Sequence, residues 1–289
     1  MAINPLIVTL ILSSTILLAL APHIYWFIGY GVVASLIGAS LAFGSISVLV
    51  SARRLYFMAH VVPHMAIFAA PIAIIVTRHL QVNEWLLSAI IVMILLWASG
   101  YAISRGLSSD IIASLSVSFT ASATIIALYY AQRIVGAGRI SSIILGDPLL
   151  TSISEGLIAL VVGSMILLAS LMVVREMFYI SVDREGAIVD GLRVLYYDYT
   201  LYTLIGVTVA IMLKIVGFLV SSILILVPGA VSLLLSRSSY EALMASIGVS
   251  LIASALGLYA GILLDIPPSG ALGLILVAIY ALVWVARSA

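Results

Sequence analysis

The stretch LLSAIIVMILLWASGYAI at residues 86–103 contains no charged residue, and neither does GALGLILVAIYALVWVA at 270–286. A predominantly apolar run of about 18 residues is long enough to cross a bilayer as a helix. The strands of a membrane barrel would alternate apolar and polar residues, whereas these runs are continuous. The two stretches therefore predict membrane-spanning helices.

The composition of the whole chain agrees with this prediction. Of its 289 residues, 64% are hydrophobic and 8% are charged, whereas a soluble domain carries about 25% charged residues. So few charges cannot cover a protein of this size in water, and most of its surface must face lipid. The net charge of +1 argues against a nucleic-acid partner. The absence of cysteine excludes disulfides and thiolate metal ligands.

Charges, prolines and glycine clusters divide the chain into about ten apolar segments. We therefore predict an all-α, polytopic membrane protein of about 8–10 transmembrane helices. The first segment lacks a basic leader and is interpreted as a retained helix rather than a signal peptide. Only residues 214–217 separate the seventh and eighth segments, so a re-entrant or broken helix is an alternative there. The segments are 5–21, 26–50, 56–77, 86–104, 110–131, 153–174, 199–213, 216–236, 243–263 and 270–286.

The distribution of basic residues predicts the orientation. With a cytoplasmic N-terminus, eight of the twelve Arg and Lys residues lie inside and four lie outside. The positive-inside rule favours this topology over its reverse.

One segment breaks the apolar pattern. Residues 175–198 carry eight of the 23 charges, on the side predicted to be cytoplasmic. Small and apolar residues between the charges, such as Ala187 and Leu192, suggest a short amphipathic helix. The segment is either an ordinary solvated loop or a docking element for a cytoplasmic partner, and the residues alone leave both open.

Two histidines lie inside the third predicted helix. Counting from Arg54, the helical rise puts His60 about 9 Å and His64 about 15 Å along the helix, the latter near the middle of the bilayer. Their spacing of four places both imidazoles on one helix face, where they can reach one zinc-like metal ion. The alternative is that each imidazole bonds a neighbouring backbone or hydroxyl group and only ties helices together.

Other polar and helix-breaking residues are candidates for a pathway or gate. Ser118 and Ser122 of the fifth helix predict close helix packing first and a polar path second. Pro228, in the eighth helix, is either an ordinary kink or a gating feature. The first interpretation of Asp265 is a turn residue before the last helix, and the second is part of a gate.

Catalytic signatures are missing from the sequence. There is no HExxH, GxSxG or P-loop motif. We therefore expect no enzymatic activity in this chain and no cofactor bound by it, and any ATP hydrolysis must reside on a separate chain.

Four stretches, in this order and spacing, resemble the membrane permeases of metal-uptake ABC transporters of the zinc and manganese type. The resemblance covers roughly residues 30–286. The stretches are RRLYFMAHVVPHMAIFAAP at 53–71, LGDPL at 145–149, DREGAIVDG at 183–191, and VGFLVSSILILVPGAVSLLLSRS at 216–238 with GLYAGILLDIPPSGA at 257–271.

The resemblance implies one transmembrane permease domain over residues 1–289, similar to type II ABC importers, in the cell membrane of a prokaryote. Implied partners are cytoplasmic ATPase subunits, a second permease copy and an extracytoplasmic metal-binding protein. The ATPase would engage a coupling segment at about 181–197. The residues of this segment that match the family's pattern or its coupling role are Asp183, Ala187, Gly191 and Arg193.

Departures from the family's pattern bear on the cargo. His64 falls on the family's histidine, but His60 stands where the family has Asp. Loss of a hard carboxylate ligand argues for zinc over manganese as the transported ion. Rival interpretations are an ABC permease for chelated iron or a corrinoid, an ion-coupled secondary transporter, and a membrane metalloenzyme. The last two lack the intramembrane carboxylates that they would need.

Overall fold

Eleven α-helices make up the fold in the computed structural model, which describes residues 5–24, 26, 28–78, 80, 82–136 and 148–288. A short 3-10 turn at Pro148–Leu150 precedes the sixth helix. The helices are α1 (Pro5–Ile24), α2 (Tyr30–Ala52), α3 (Tyr56–Thr77), α4 (Glu84–Ser104), α5 (Ser109–Val135), α6 (Ile153–Val182), α7 (Arg184–Val189), α8 (Val194–Leu224), α9 (Val227–Leu235), α10 (Ser239–Leu264) and α11 (Pro268–Ser288).

The prediction of an all-α membrane protein is confirmed. Among the described residues, eight helices are long and apolar enough to cross a membrane, and these are α2–α6, α8, α10 and α11. The outer helices expose large apolar side chains, such as Ile94 (61% exposed), Ile125 (72%) and Leu274 (74%). Such surfaces suit a lipid solvent, because in water they would drive aggregation.

Several helices begin where the sequence provides a polar cap. The Asn83 side chain accepts hydrogen bonds from the first amides of α4, and Ser108 and Ser238 do the same for α5 and α10. Ser152 and Glu155 form a reciprocal capping box at the start of α6. These caps satisfy amides that have no partner within the helix.

Helix α2 is the centre of the bundle. It is buried along most of its length and packs against α6, α8, α9 and α10. Small polar side chains join it to these neighbours: the Ser40 and Ser254 hydroxyls lie 2.9 Å apart, and the Ser246 hydroxyl donates to the Gly44 carbonyl at 2.6 Å. Small residues let helices approach closely in lipid, and their hydroxyls then link the helices.

The closest helix pair is α2 with α6. Gly31 and Gly38 on α2 face Gly156 and Gly163 on α6, and a Cβ on any of the four would overlap backbone or the Ala34 side chain of the facing helix. Each pair is seven residues apart, which is the repeat that keeps one seam in contact along two helices. The two helices run parallel, because their first residues meet at one end and their last residues meet at the other, where Arg53 reaches Met177.

The two ends of the bundle differ in charge. The charged end, which we define by Arg53, residues 183–193 and Asp198, is where α2 and α6 finish and α8 begins. At the opposite end, Lys214 of α8 bonds the Glu84 carboxylate of α4 at 3.1 Å. The sequence predicts that Lys214 lies at the short separation between two apolar segments. It instead lies inside α8, since the paired carboxylate and the Trp85 ring neutralise and cover its charge.

Substitution Gly38→Ala should destabilise the protein, because its Cβ would overlap the backbone of Ala159. Overpacking of this kind costs about 1–3 kcal/mol. We expect a lower unfolding temperature for the purified protein in detergent. The matched control is Gly270→Ala, whose Cβ meets no atom within 4 Å. Equal unfolding temperatures for the two variants would contradict the tight α2–α6 seam.

Candidate metal pathway and coupling segment

The two histidines of α3 lie together on one face, as their spacing predicts. Their ring centroids are 5.5 Å apart and the rings meet edge to face. His60 is exposed on the surface of this chain and His64 is half-buried. Both imidazoles are therefore accessible from the same side of α3.

His64 also touches a break in another helix. Its ring centroid lies 5.2 Å from that of Phe218, the residue after Gly217. Gly217 interrupts α8 with φ 85° and ψ 173°, a conformation that is essentially restricted to glycine. The histidine face therefore adjoins irregular backbone, and broken helices commonly form the substrate sites of transporters.

The segment after this break is interrupted a second time. The sequence alternative of a broken helix at residues 214–217 is borne out by the interruption at Gly217, and a further interruption, which the sequence did not predict, lies at residues 225–226. Pro228 is buried in the first turn of α9, where its missing N–H is not needed. The neighbouring Gly229 N–H donates to the Ser47 hydroxyl at 2.7 Å, so α2 satisfies an amide that the break leaves without a helical partner.

The predicted serines of α5 face away from the helices of this chain. Ser118 and Ser122 are exposed, whereas Thr120 and Thr124 are buried and bond carbonyls of their own helix. The packing interpretation of the two serines is therefore wrong within a single chain, because the buried face of α5 is the one that carries the threonines. Their role in a pathway remains a prediction.

Asp265 forms the turn that the sequence predicts before the last helix. It is exposed, has a left-handed φ of 53°, and ends α10. The following Ile266 N–H donates to the Gly261 carbonyl at 3.0 Å and closes the turn. A gating role for Asp265 is still only a prediction.

The segment 183–193 folds as the predicted short helix. Asp183 caps α7 by accepting the Gly186 N–H at 2.8 Å, and Ala187 is fully buried beside Ile180 and Val194. Gly191, with φ 85°, turns the chain towards α8. Arg193 is exposed.

The apolar pattern of this segment is only partly realised, because Ile188 and Leu195 are each 56% exposed. The small helix thus presents both charge and apolar surface outward.

Sequence reasoning missed an ion-pair cluster beside this segment. The Asp198 carboxylate bonds Arg53 through one oxygen and Arg184 through the other, the latter at 3.0 Å. Arg184 and Asp198 both belong to the charged segment 175–198, but Arg53 lies 145 residues before Asp198 in the chain, so the sequence indicated only that this end is polar. The seven-residue glycine spacing of α2 and α6, by contrast, was readable from the sequence.

The described residues contain no group of three or more His, Asp or Glu side chains that could hold a metal ion. His60 and His64 therefore provide two ligands at most within this part of the chain. Of the LGDPL stretch, residues 145–147 lie outside the described residues.

Comparison with known proteins identifies the family. The model of the ABC 3 transport family matches residues 25–287. The chain belongs to the ABC 3 transport family. The resemblance drawn from the four sequence stretches is thereby confirmed at the level of the family.

The chain is also similar to a named relative and to two solved structures. The high-affinity zinc uptake system membrane protein ZnuB of Buchnera aphidicola subsp. Schizaphis graminum (strain Sg) is 27% identical over 144 residues, which is 50% of this chain and 55% of the relative. The matched part thus spans only about half of either protein.

The fold is shared with PsaBC from Streptococcus pneumoniae, solved in complex with Fab. The TM-score is 0.80 at 17% identity, and the match covers 92% of this chain and 94% of the other. A metal-chelate type ABC transporter in an inward-facing conformation gives a TM-score of 0.69 at 15% identity, covering 96% and 99%. At these identities the likeness establishes the fold alone.

Substitution Gly217→Ala should strain the break beside His64, because φ 85° with ψ 173° disfavours any L side chain. The cost is of order 1–3 kcal/mol, and we expect a lower unfolding temperature in detergent. The control is Gly206→Ala in the same helix, where the Cβ would lie 3.3 Å from the flexible Met93 sulfur and the gain in helix propensity is about 1 kcal/mol. A Gly217 variant at least as stable as the Gly206 variant would show that the break does not need glycine.

Proposed function

We propose that this protein is the membrane-spanning permease subunit of an ABC importer that moves a divalent transition-metal ion across the cell membrane. The observation that carries the proposal is the histidine pair of α3 lying against a broken helix in a chain that belongs to the ABC 3 transport family along almost its whole length. An imidazole pair supplies ligands to an ion, and the break supplies backbone that can rearrange.

Zinc is the proposed cargo. Neutral imidazoles suit zinc, whereas manganese prefers oxygen ligands. His60 stands where the family has a carboxylate. The name of the Buchnera relative, a zinc uptake membrane protein, supports the same choice.

The described residues of one chain bring no third His, Asp or Glu side chain to this pair. Because His60 is exposed and faces the same side as His64, a second permease copy could complete the site there. We therefore infer that two copies pair, with the whole chain forming one permease domain in each. Ser118 and Ser122, also exposed, are proposed to line the same path.

The energy for transport is proposed to come from ATP hydrolysis on cytoplasmic partner subunits. These would dock on α7 and its flanks, through the exposed residues Asp183, Gly191 and Arg193, while the buried Ala187 holds α7 against Ile180 and Val194. The charged end and the N-terminus are accordingly placed in the cytoplasm, and an extracytoplasmic binding protein would deliver the ion at the opposite end, near Asp265. Rigid-body movement of the helices, with Pro228 at the broken segment, would open the site to each side in turn.

An ABC permease for a metal chelate is the second candidate. A chelated ion already carries its own ligands and needs few from the protein. This agrees with the described residues, which contain no group of three or more His, Asp or Glu side chains that could hold a metal ion. The fold likeness to a metal-chelate type transporter makes this alternative worth testing. Uptake of free zinc without a chelator would decide against it.

Substitution His64→Ala should abolish saturable zinc uptake. We would reconstitute the permease with its ATPase and binding protein in vesicles and compare uptake of zinc, manganese, iron and nickel. Loss of a metal ligand should lower kcat/KM at least about tenfold. His23→Ala, an exposed histidine at the end of α1, is the matched control. Unchanged uptake in the His64 variant would favour a different solute and a structural role for the histidines.

Charge reversal in the proposed docking segment should prevent ATPase binding. The double variant Glu185→Arg with Arg193→Glu changes two exposed residues without changing net charge. We expect it to lose co-purification with the ATPase and ATP-driven uptake. Asp110→Arg with Arg105→Glu makes the matching reversal on exposed residues of the α4–α5 connection. Retained co-purification in the first variant would place the docking surface elsewhere.

A further inference from the structure

We propose that Asp198 is a positioning residue of the transport cycle, which transmits movement of α7 to the start of the histidine helix α3. The inference rests on the proposed function, because it assumes that a partner acts on α7. It concerns residues that do not touch the ion.

The carboxylate of Asp198, on α8, joins the end of α2 to the start of α7 by ion pairs. One oxygen bonds Nη2 of Arg53 at the end of α2, and the other bonds Nη2 of Arg184 at the first position of α7, at 3.0 Å. The Asp198 side chain is 14% exposed and the Arg53 side chain 7%. Each oxygen serves a different guanidinium, so the two arginines are held together only through this one group.

The link reaches α3 through a very short turn. Arg53 caps the end of α2, Arg54 adopts a left-handed φ of 54°, and the Leu55 N–H donates back to the Val50 carbonyl at 3.0 Å. Helix α3 then begins at Tyr56. A turn this tight has little slack, so a displacement of Arg53 must move the first turn of α3 and, rigidly with it, His60 and His64.

The two arginines differ in what a structural role would require. Arg53 is buried and needs a counter-charge, which Asp198 provides. Arg184 is 56% exposed, and water could solvate it equally well. Stability alone therefore explains the Arg53 bond but not the Arg184 bond. The second bond joins the proposed docking helix α7 to the Arg53–Asp198 pair, in which the charges already neutralise each other. It therefore adds a physical connection between α7 and the end of α2, as a mechanical link requires.

A parallel connection runs through the helices. Helix α6 leads through Asp183 directly into α7, the glycine seam holds α6 against α2, and Nη1 of Arg53 lies 4.0 Å from the Met177 sulfur of α6. Arg53 thus meets both routes from α7, one through the chain into α6 and the packing of α6 on α2, and one ionic through Asp198. The ionic route is the one that a single side-chain change can remove.

The test measures metal transported per ATP hydrolysed by the reconstituted complex of permease, ATPase and binding protein. Substitution Arg184→Ala removes the exposed half of the link with little effect on folding, and Asp198→Asn removes the shared charge at constant shape. Co-purification with the ATPase is measured for each variant, because Arg184 lies on the proposed docking helix whereas Asp198 lies on α8. In the complexes that form, the ratio of zinc transported to ATP hydrolysed should fall about fivefold or more. A role in folding alone would lower yield or unfolding temperature and leave this ratio unchanged.

Arg105→Ala, an exposed arginine of the α4–α5 connection, is the matched control and should keep the wild-type ratio. A wild-type ratio in Arg184→Ala would overturn the link through Asp198, whatever the folding of Asp198→Asn. Absence of ATP-dependent metal uptake by the wild-type complex would overturn the proposed function and this inference with it. The two failures are therefore distinguishable in one set of measurements.

Discussion

The need to bond every backbone amide and carbonyl without water is the constraint on which this structure depends. In hydrocarbon an unsatisfied peptide group costs several kcal/mol, so the apolar segments must be helices. The same constraint governs where a helix can stop. At the start of α9, a buried Gly229 N–H is satisfied by the Ser47 hydroxyl of the central helix. The second interruption of the broken segment, at residues 225–226, can therefore exist inside the bundle because α2 supplies this partner.

Close packing around α2 is the second consequence of a lipid solvent. Lipid offers no hydrophobic driving force between helices, so contact area and buried hydroxyls hold them together. The glycine seam with α6 makes a two-helix unit that extends from the opposite end of the bundle to the charged end. We expect such a unit to move as one body. This agrees with the proposed mechanism, in which movement at the charged end rearranges the helices in the middle of the membrane.

The histidine helix is held quite differently. Helix α3 packs against α4, α5 and α8 rather than into the centre of the bundle, and one of its two histidines is exposed. It is joined to the rigid unit by the turn Arg53–Leu55 and to the broken helix by the contact of His64 with Phe218. The candidate site therefore lies at the junction between a rigid pair of helices and a segment with irregular backbone.

The solvent, the fold class and the family all follow from patterns within the sequence. Long uncharged runs such as 86–103 admit only membrane helices, and four ordered stretches pointed to the ABC 3 family. The sequence also placed His60 and His64 on one face, since their spacing matches the helical repeat. These features are local in the chain, which is why a one-dimensional pattern carries them.

Contacts between residues from different helices, by contrast, follow from the three-dimensional packing of the bundle. Nothing in the sequence shows that Arg53 and Arg184 both bond the Asp198 carboxylate. Nor does it show that Lys214 is covered inside a helix and paired with Glu84. The outward direction of Ser118 and the contact of His64 with Phe218 likewise depend on how the helices are rotated and tilted against each other. That rotation is set by the sum of packing contacts along whole helices, such as the glycine seam, and so no single stretch of sequence contains it.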